Sequence, residues 1–279
     1  MPVLDYTPYK LRDWIPQDRV SWACLSTLPK AVYLLQQNPD KINWLWINRN
    51  PNAVHLLEGQ RKSSITWGIL SQNPNAIYLL KKNKEFINWD LLSMNPNAMT
   101  LLKKNKDKIN WSNLSCNPNP QAIKLLQENP DKIDWRQLSA NPGAIELLED
   151  NEDKINWRSL ARNPKAIHLF KLNPDKINIS HLSENPNPEV IKILGTAPEQ
   201  IDWVAFSKNP CAIDLLERYQ ENVYWFSLFE NPEIFEIDYL VLRERIEPFK
   251  EELMACCFHP KRVSYYLNKF DYDLGEEFI

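Results

Sequence analysis

Lys108-Ile109-Asn110-Trp111-Ser112-Asn113-Leu114-Ser115-Cys116-Asn117-Pro118 is the phrase on which the chain turns. Its copies are marked by Trp22, Trp44, Trp67, Trp89, Trp111, Trp135, Trp157, Ile179, Trp203 and Trp225, at spacings of 22, 23, 22, 22, 24, 22, 22, 24 and 22 residues. A fixed period in this range is the mark of an array in which each unit buries its apolar face against its neighbours. One unit, Asn95 to Asn117, gives the local reading. Asn95-Pro96 opens a helix, because Asn accepts from orphan backbone N–H groups and Pro tolerates the first helical position. Ala98, Met99, Leu101 and Leu102 form its buried stripe. Asn105 reads as a left-handed stop, and Lys106-Asp107-Lys108 as a connecting turn. A second helix starts after Asn110, so short that a 3₁₀ turn fits as well as α. The residue before each marker is Ser21, Asn43, Thr66, Asn88, Asn110, Asp134, Asn156, Asn178, Asp202 or Tyr224, nine good N-caps in ten.

Neither helix is stable alone, since isolated helices below ~12–15 residues are marginal in water. The expected fold is therefore all-α: an α-solenoid of about ten 22–24-residue two-helix repeats, each a short α-helix plus a shorter α or 3₁₀ helix, with helical caps. At ~8–10 Å per packed helix such an array makes a rod or arc on the order of 90 Å long. Each Trp reads as a core wedge between units. Residues 1–19 are too apolar for a loose tail and read as an N-terminal cap. Residues 20–235 hold the repeats. Residues 236–279 read as a helical C-terminal cap, its helices interrupted at Pro248 and restarted at His259, with Asp271 to Ile279 partly frayed. Asn117-Pro118-Asn119-Pro120 and Asn185-Pro186-Asn187-Pro188 carry two-residue insertions, and the Ile179 copy, lacking its Trp, is expected to pack more loosely.

A net charge of −3 over 279 residues argues against a general polyanion binder. Five scattered cysteines fit a reducing compartment. The N-terminus lacks a signal-peptide core, and no apolar run approaches the ~20 residues of a membrane span, so a protein that is not secreted and not in a membrane is expected. Nucleotide-binding and hydrolase motifs are missing, and only five glycines occur, too few for a phosphate-cradling loop. Cys256-Cys257-Phe258-His259 is a poor chelate. The reading is thus of a protein that is not an enzyme and holds no metal and no cofactor.

Two features bear on partners. One slot of the longer helix varies freely: Tyr33, His55, Tyr78, Thr100, Lys124, Glu146, His168, Lys192, Asp214. Equivalent positions line up along a repeat array, and such rows make extended binding faces. The other is a basic run, Lys81, Lys82, Lys84, Lys103, Lys104, Lys106 and Lys108. The expectation is a non-catalytic scaffold binding a protein along the variable row, with nucleic-acid binding through the Lys81–Lys108 patch as the alternative.

The alternation of a capped Asn-Pro helix with a very short second helix resembles leucine-rich-variant repeats, which implies an α/3₁₀ solenoid. The wording Asn73–Leu80 and Asn173–Asn178, with the tail Ile246–Leu253 and His259–Val263, is similar to multi-copy repeat proteins of giant DNA viruses. That resemblance implies a viral product in the host cytoplasm or virion, and brings no activity with it.

Overall fold

The computed structural model describes residues 7–270, which form two compact units, one ending at Glu236 and the other beginning at Ile237. Both are built of short helices, and the class is all-α, with one two-stranded sheet.

In the first unit every copy of the sequence phrase is a run of short helical pieces. In the copy read above they are the 3₁₀ turn Pro96–Ala98, the α-helix Met99–Lys104, the 3₁₀ turn Lys106–Lys108 and the α-helix Trp111–Ser115. The helix headed by the marker residue is α throughout except in the second copy, where Trp46–Arg49 is 3₁₀. Ser21, Asn43, Asn88, Asn110, Asp134, Asn156, Asn178 and Asp202 accept from backbone N–H groups at its start; Thr66 and Tyr224 do not. Asn105 does not take the left-handed conformation expected of it. Its φ is −135°, and its side chain ends the helix instead by donating to Leu101 O at 2.9 Å. Asn38, Asn83, Asn129, Asn151 and Asn173 repeat that bond four residues back.

A ladder of buried asparagines joins the copies. Asn95 accepts from Asn97 N through Oδ1, as a helix cap does, while its Nδ2 donates to Ser71 O at 3.0 Å and Asn73 O at 2.8 Å in the preceding copy. Asn50, Asn73, Asn117, Asn141, Asn163, Asn185, Asn209 and Asn231 each donate to two carbonyls 22 to 26 residues back. All nine are at most 2% exposed. Buried amides and carbonyls must find partners, and here they find them in the neighbouring copy. A serine four residues after the marker adds a second tie: Ser93 Oγ donates to Trp89 O and accepts from Asn110 N of the next copy at 3.1 Å. The apolar stripe packs inside these ties, with Leu92, Leu102, Leu114, Leu126, Leu138 and Leu148 fully buried.

The tryptophans sit at the edge of this core and not inside it. Trp67, Trp89, Trp111, Trp135, Trp157, Trp203 and Trp225 are half-buried against it, and Trp44 is 39% exposed. The outer ring faces are covered by the lysine turn of the following copy: Lys41 lies 4.8 Å from the Trp22 ring, Lys108 4.8 Å from Trp89, Lys132 4.5 Å from Trp111 and Lys154 4.7 Å from Trp135. Phe86 takes the lysine's place over Trp67, stacked at 5.0 Å. An indole with a polar edge suits a half-wet position with a cation on its face. Ile179, without an indole to place, is drawn further in, 8% exposed, and keeps both the Ser183 and the Asn185 ties. The marker is smaller, and the copy keeps its hydrogen bonds to its neighbours.

The first and last copies are in contact, which a rod would not allow. Tyr9–Leu11 pairs with Phe235–Ile237 as the two-stranded sheet. Arg12 N donates to Ile234 O at 3.0 Å and Arg12 Nε to Glu233 O at 2.9 Å. Trp14 packs on Trp225 with ring centroids 6.0 Å apart. Two further contacts reproduce the joint between neighbours. Arg19, at the lysine position of the first copy, lies 5.1 Å from the Trp225 ring. Lys30 and Glu233, both at the position where Asn52 reaches Pro29 O, form a 2.7 Å ion pair.

The second unit contains the α-helices Tyr239–Ile246, Lys250–Cys257 and Pro260–Phe270, joined in part by the 3₁₀ turn Glu247–Phe249. The break at Pro248 and the restart at His259 fall where the sequence places them. None of these helices buries a residue. The fraying expected of Asp271 to Ile279 lies outside the described residues. No helix among the described residues is long and apolar enough to cross a membrane.

Candidate functional site

The variable row is carried by the longer helix of each copy, held by the asparagine ladder beneath it. Tyr33, His55 and Tyr78 are half-buried; Thr100, Lys124, Glu146, His168, Lys192 and Asp214 are exposed. The row is partly interlocked. Each contact runs from a row residue to the side chain three positions after the row in the copy before. His55 Nε2 lies 3.3 Å from Gln36 Nε2, Tyr78 donates to Glu58, and His168 Nε2 meets Glu149 Oε1 at 2.6 Å. Burial, then the Glu58 carboxylate, pushes the Tyr78 phenol well above its ordinary range. At the far end Arg12 approaches Asp214 at 4.0 Å and Glu217 at 3.7 Å, so the lead-in finishes the row.

Several row residues border open clefts between copies. Thr100 lines one of about 500 Å³, Lys124 and Glu146 line one of about 380 Å³, and Tyr78 lines one of about 340 Å³. His55, His168, Lys192 and Asp214 are not among these linings.

The basic run divides. Lys81, Lys84, Lys104 and Lys108 share the 500 Å³ cleft with Ile87, Trp89 and Leu101, whereas Lys82, Lys103 and Lys106 lie outside its lining. All seven are exposed.

One surface was not read from the sequence. Cys24, Thr27, Trp46, Arg49, Phe226 and Glu230 border a cleft of about 330 Å³ where the first, second and last copies adjoin. It brings together positions some two hundred residues apart, so no local pattern reveals it. Phe226, 65% exposed, occupies a short-helix slot that holds Leu45, Asp90, Ser112, Arg136, Arg158, Ser180 and Val204 in other copies, and it is the one large aromatic there.

Among the described residues no three His, Cys, Asp or Glu side chains converge as a metal site would require. Cys256 and Cys257 are exposed free thiols. Burial, with Asp134 nearby, raises the Cys116 thiol above its ordinary range. No family model matches the chain, and no curated protein and no solved structure matches it either.

Proposed function

We propose that the first unit is an α-solenoid of ten 22–24-residue repeats whose ends meet, and that it is a non-catalytic scaffold binding a protein partner along the variable row. The observation that carries this reading is the placement of Tyr78, Thr100, Lys124 and Glu146 on the rims of three clefts between copies. Chemically different side chains at one repeated position, set beside depressions between copies, make a face that can be specific along its length. Their helices are short and tied by buried asparagines, so little ordering entropy is lost when a partner docks. The clefts are shallow and open, which suits an extended polypeptide surface. A giant-virus setting, in host cytoplasm or virion, rests on the sequence resemblance alone.

The test is photo-crosslinking with a crosslinker placed at Thr100, Lys124 or Glu146, and at Asp153 as an off-row control. The expected result is saturable capture of one protein from the row positions only. The paired change K124E/E146K is expected to abolish capture at an unchanged melting temperature. Equal capture from Asp153, or capture indifferent to the paired change, would refute the assignment.

A further inference from the structure

We infer that the cleft walled by Lys81, Lys84, Lys104 and Lys108 is a binding site for a compact polyphosphorylated anion, an inference that rests on the lysines and stands whether or not Thr100, on the same wall, also meets a protein. Three observations converge on it.

The charge within the cleft is unopposed. None of the residues lining this cleft of about 500 Å³ is acidic. Twelve ion pairs hold cations elsewhere, yet none of these four lysines enters one among the described residues. Of the acids in the two turns that carry Lys84 and Lys108, Glu85 is engaged by Lys62 at 3.6 Å and Asp107 lies outside the lining, opposed to four lysines within it. Four ammonium groups around one depression repel each other, and an anion between them relieves that repulsion.

The surroundings suit phosphate. Ile87, Trp89 and Leu101 give the cleft an apolar side against which the lysine stems can lie. Lys108 lies 4.8 Å from the Trp89 ring, which orients its ammonium group. Thr100 and Asn105 supply neutral hydrogen-bonding groups on the same wall. Lysines act as movable point charges that do not demand the planar geometry a carboxylate offers to arginine.

The site is also confined. One repeat earlier, Glu58 stands where Lys81 stands here, and one repeat later Glu128 stands where Lys104 stands. Lys82 belongs by position to the earlier cleft, and Lys103 and Lys106 to the later one. A nucleic-acid strand continuing along the repeats in either direction would meet a carboxylate within one unit. A ligand with several phosphate charges close together would not.

The test is isothermal titration calorimetry on the full chain at low salt with tripolyphosphate, orthophosphate and a twelve-nucleotide oligothymidylate. Tripolyphosphate is expected to bind saturably at one equivalent and more tightly than either other probe. The variant K84Q/K104Q is expected to weaken it about tenfold or more, and K82Q/K103Q, which removes the same net charge outside the cleft, less than about threefold. All four lysines are exposed, so both variants are expected to fold with unchanged circular dichroism. Equal weakening by the two variants would show a diffuse field and overturn the site. Tighter binding of the oligonucleotide would replace the proposal with a nucleic-acid contact, and absence of saturable heat into the millimolar range would end it.

Discussion

Replacing Asn95 by alanine tests the joint between copies most directly. As a helix cap alone, Asn95 would be worth ~1 kcal/mol. The structure asks more of it. Asn95 is completely buried, and its Nδ2 supplies Ser71 O and Asn73 O while its Oδ1 holds Asn97 N. Asn73 O also accepts from Ala76 N at 3.1 Å, so it keeps a partner when the side chain is removed. The larger loss falls on Ser71 O, left in a dry interior, at ~1–3 kcal/mol for an unsatisfied buried group and ~0.5–1.5 for the second bond. Together with the lost cap this gives ~3–5 kcal/mol for Asn95→Ala. Asn95→Asp keeps the shape and the cap but turns an oxygen toward two carbonyl oxygens, and a buried, unpaired carboxylate is worse still. Its deficit is expected to shrink as the pH falls, because the protonated acid can donate again. The control is Asn97→Ala. That side chain is exposed and makes one 3.0 Å bond to Pro74 O, so under ~1 kcal/mol is expected. Urea unfolding followed by tryptophan fluorescence measures all three. The reasoning fails if Asn95→Ala costs no more than Asn97→Ala, or if aspartate is tolerated at neutral pH.

Four further outcomes follow from the same geometry. Gly143→Ala places a methyl group 2.5 Å from Pro118 O, a backbone atom, and is expected to lower stability by ~1–3 kcal/mol. Gly68→Ala meets nothing nearer than Leu91 Cδ1 at 3.8 Å and is expected to raise stability by ~0.5–1 kcal/mol; paired thermal melts check both, and opposite signs are required. Trp111→Ala removes a half-buried ring carrying Lys132, so ~2–3 kcal/mol is expected in denaturant titration, below the ~3–5 of a fully buried aromatic, and a loss under about one would place the ring in solvent. The charge reversal Lys30→Glu is expected to be partly rescued by Glu233→Lys, with a coupling of ~0.5 kcal/mol for this partly exposed pair after screening; zero coupling in the double-mutant cycle would mean the ends do not hold each other there. Thiol titration with a chromogenic disulfide is expected to modify the exposed Cys256 and Cys257 first and Cys116 later, because burial raises the Cys116 thiol and lowers its thiolate fraction; early loss of Cys116, read by peptide mass, contradicts its placement.

The period, the caps and the apolar stripe were legible because each is a local pattern. Asn110 before Trp111 and Pro96 after Asn95 announce helix starts without help from elsewhere. What could not be read is what side chains do across a joint. Asn95 looks like a cap in sequence, and it is one, but its second hydrogen-bonding end serves the copy before. Trp111 looks like a core residue because large aromatics usually are, yet in four joints a lysine nineteen or twenty-one residues further along covers the Trp of the copy before, and only adjoining copies reveal that. Asn105 has the residue type of a left-handed stop, but its side chain reaches a helix carbonyl first. Tyr9–Leu11 and Phe235–Ile237 pair across more than two hundred residues, and no local pattern announces that meeting. The same holds for the candidate surfaces. The row was visible as variation at one slot, whereas the basic run needed coordinates to separate the four lysines that face one another from the three that do not.

The joint between last and first copies has a consequence for how such a chain can change. Open arrays lengthen or shorten by whole modules, because a spare module simply extends an end. Here Arg19 meets Trp225 and Lys30 meets Glu233 in the register of an ordinary neighbour. In the closed array proposed above, an added or missing copy has to be accommodated without parting these partners, so such a chain is held to its length by both ends at once.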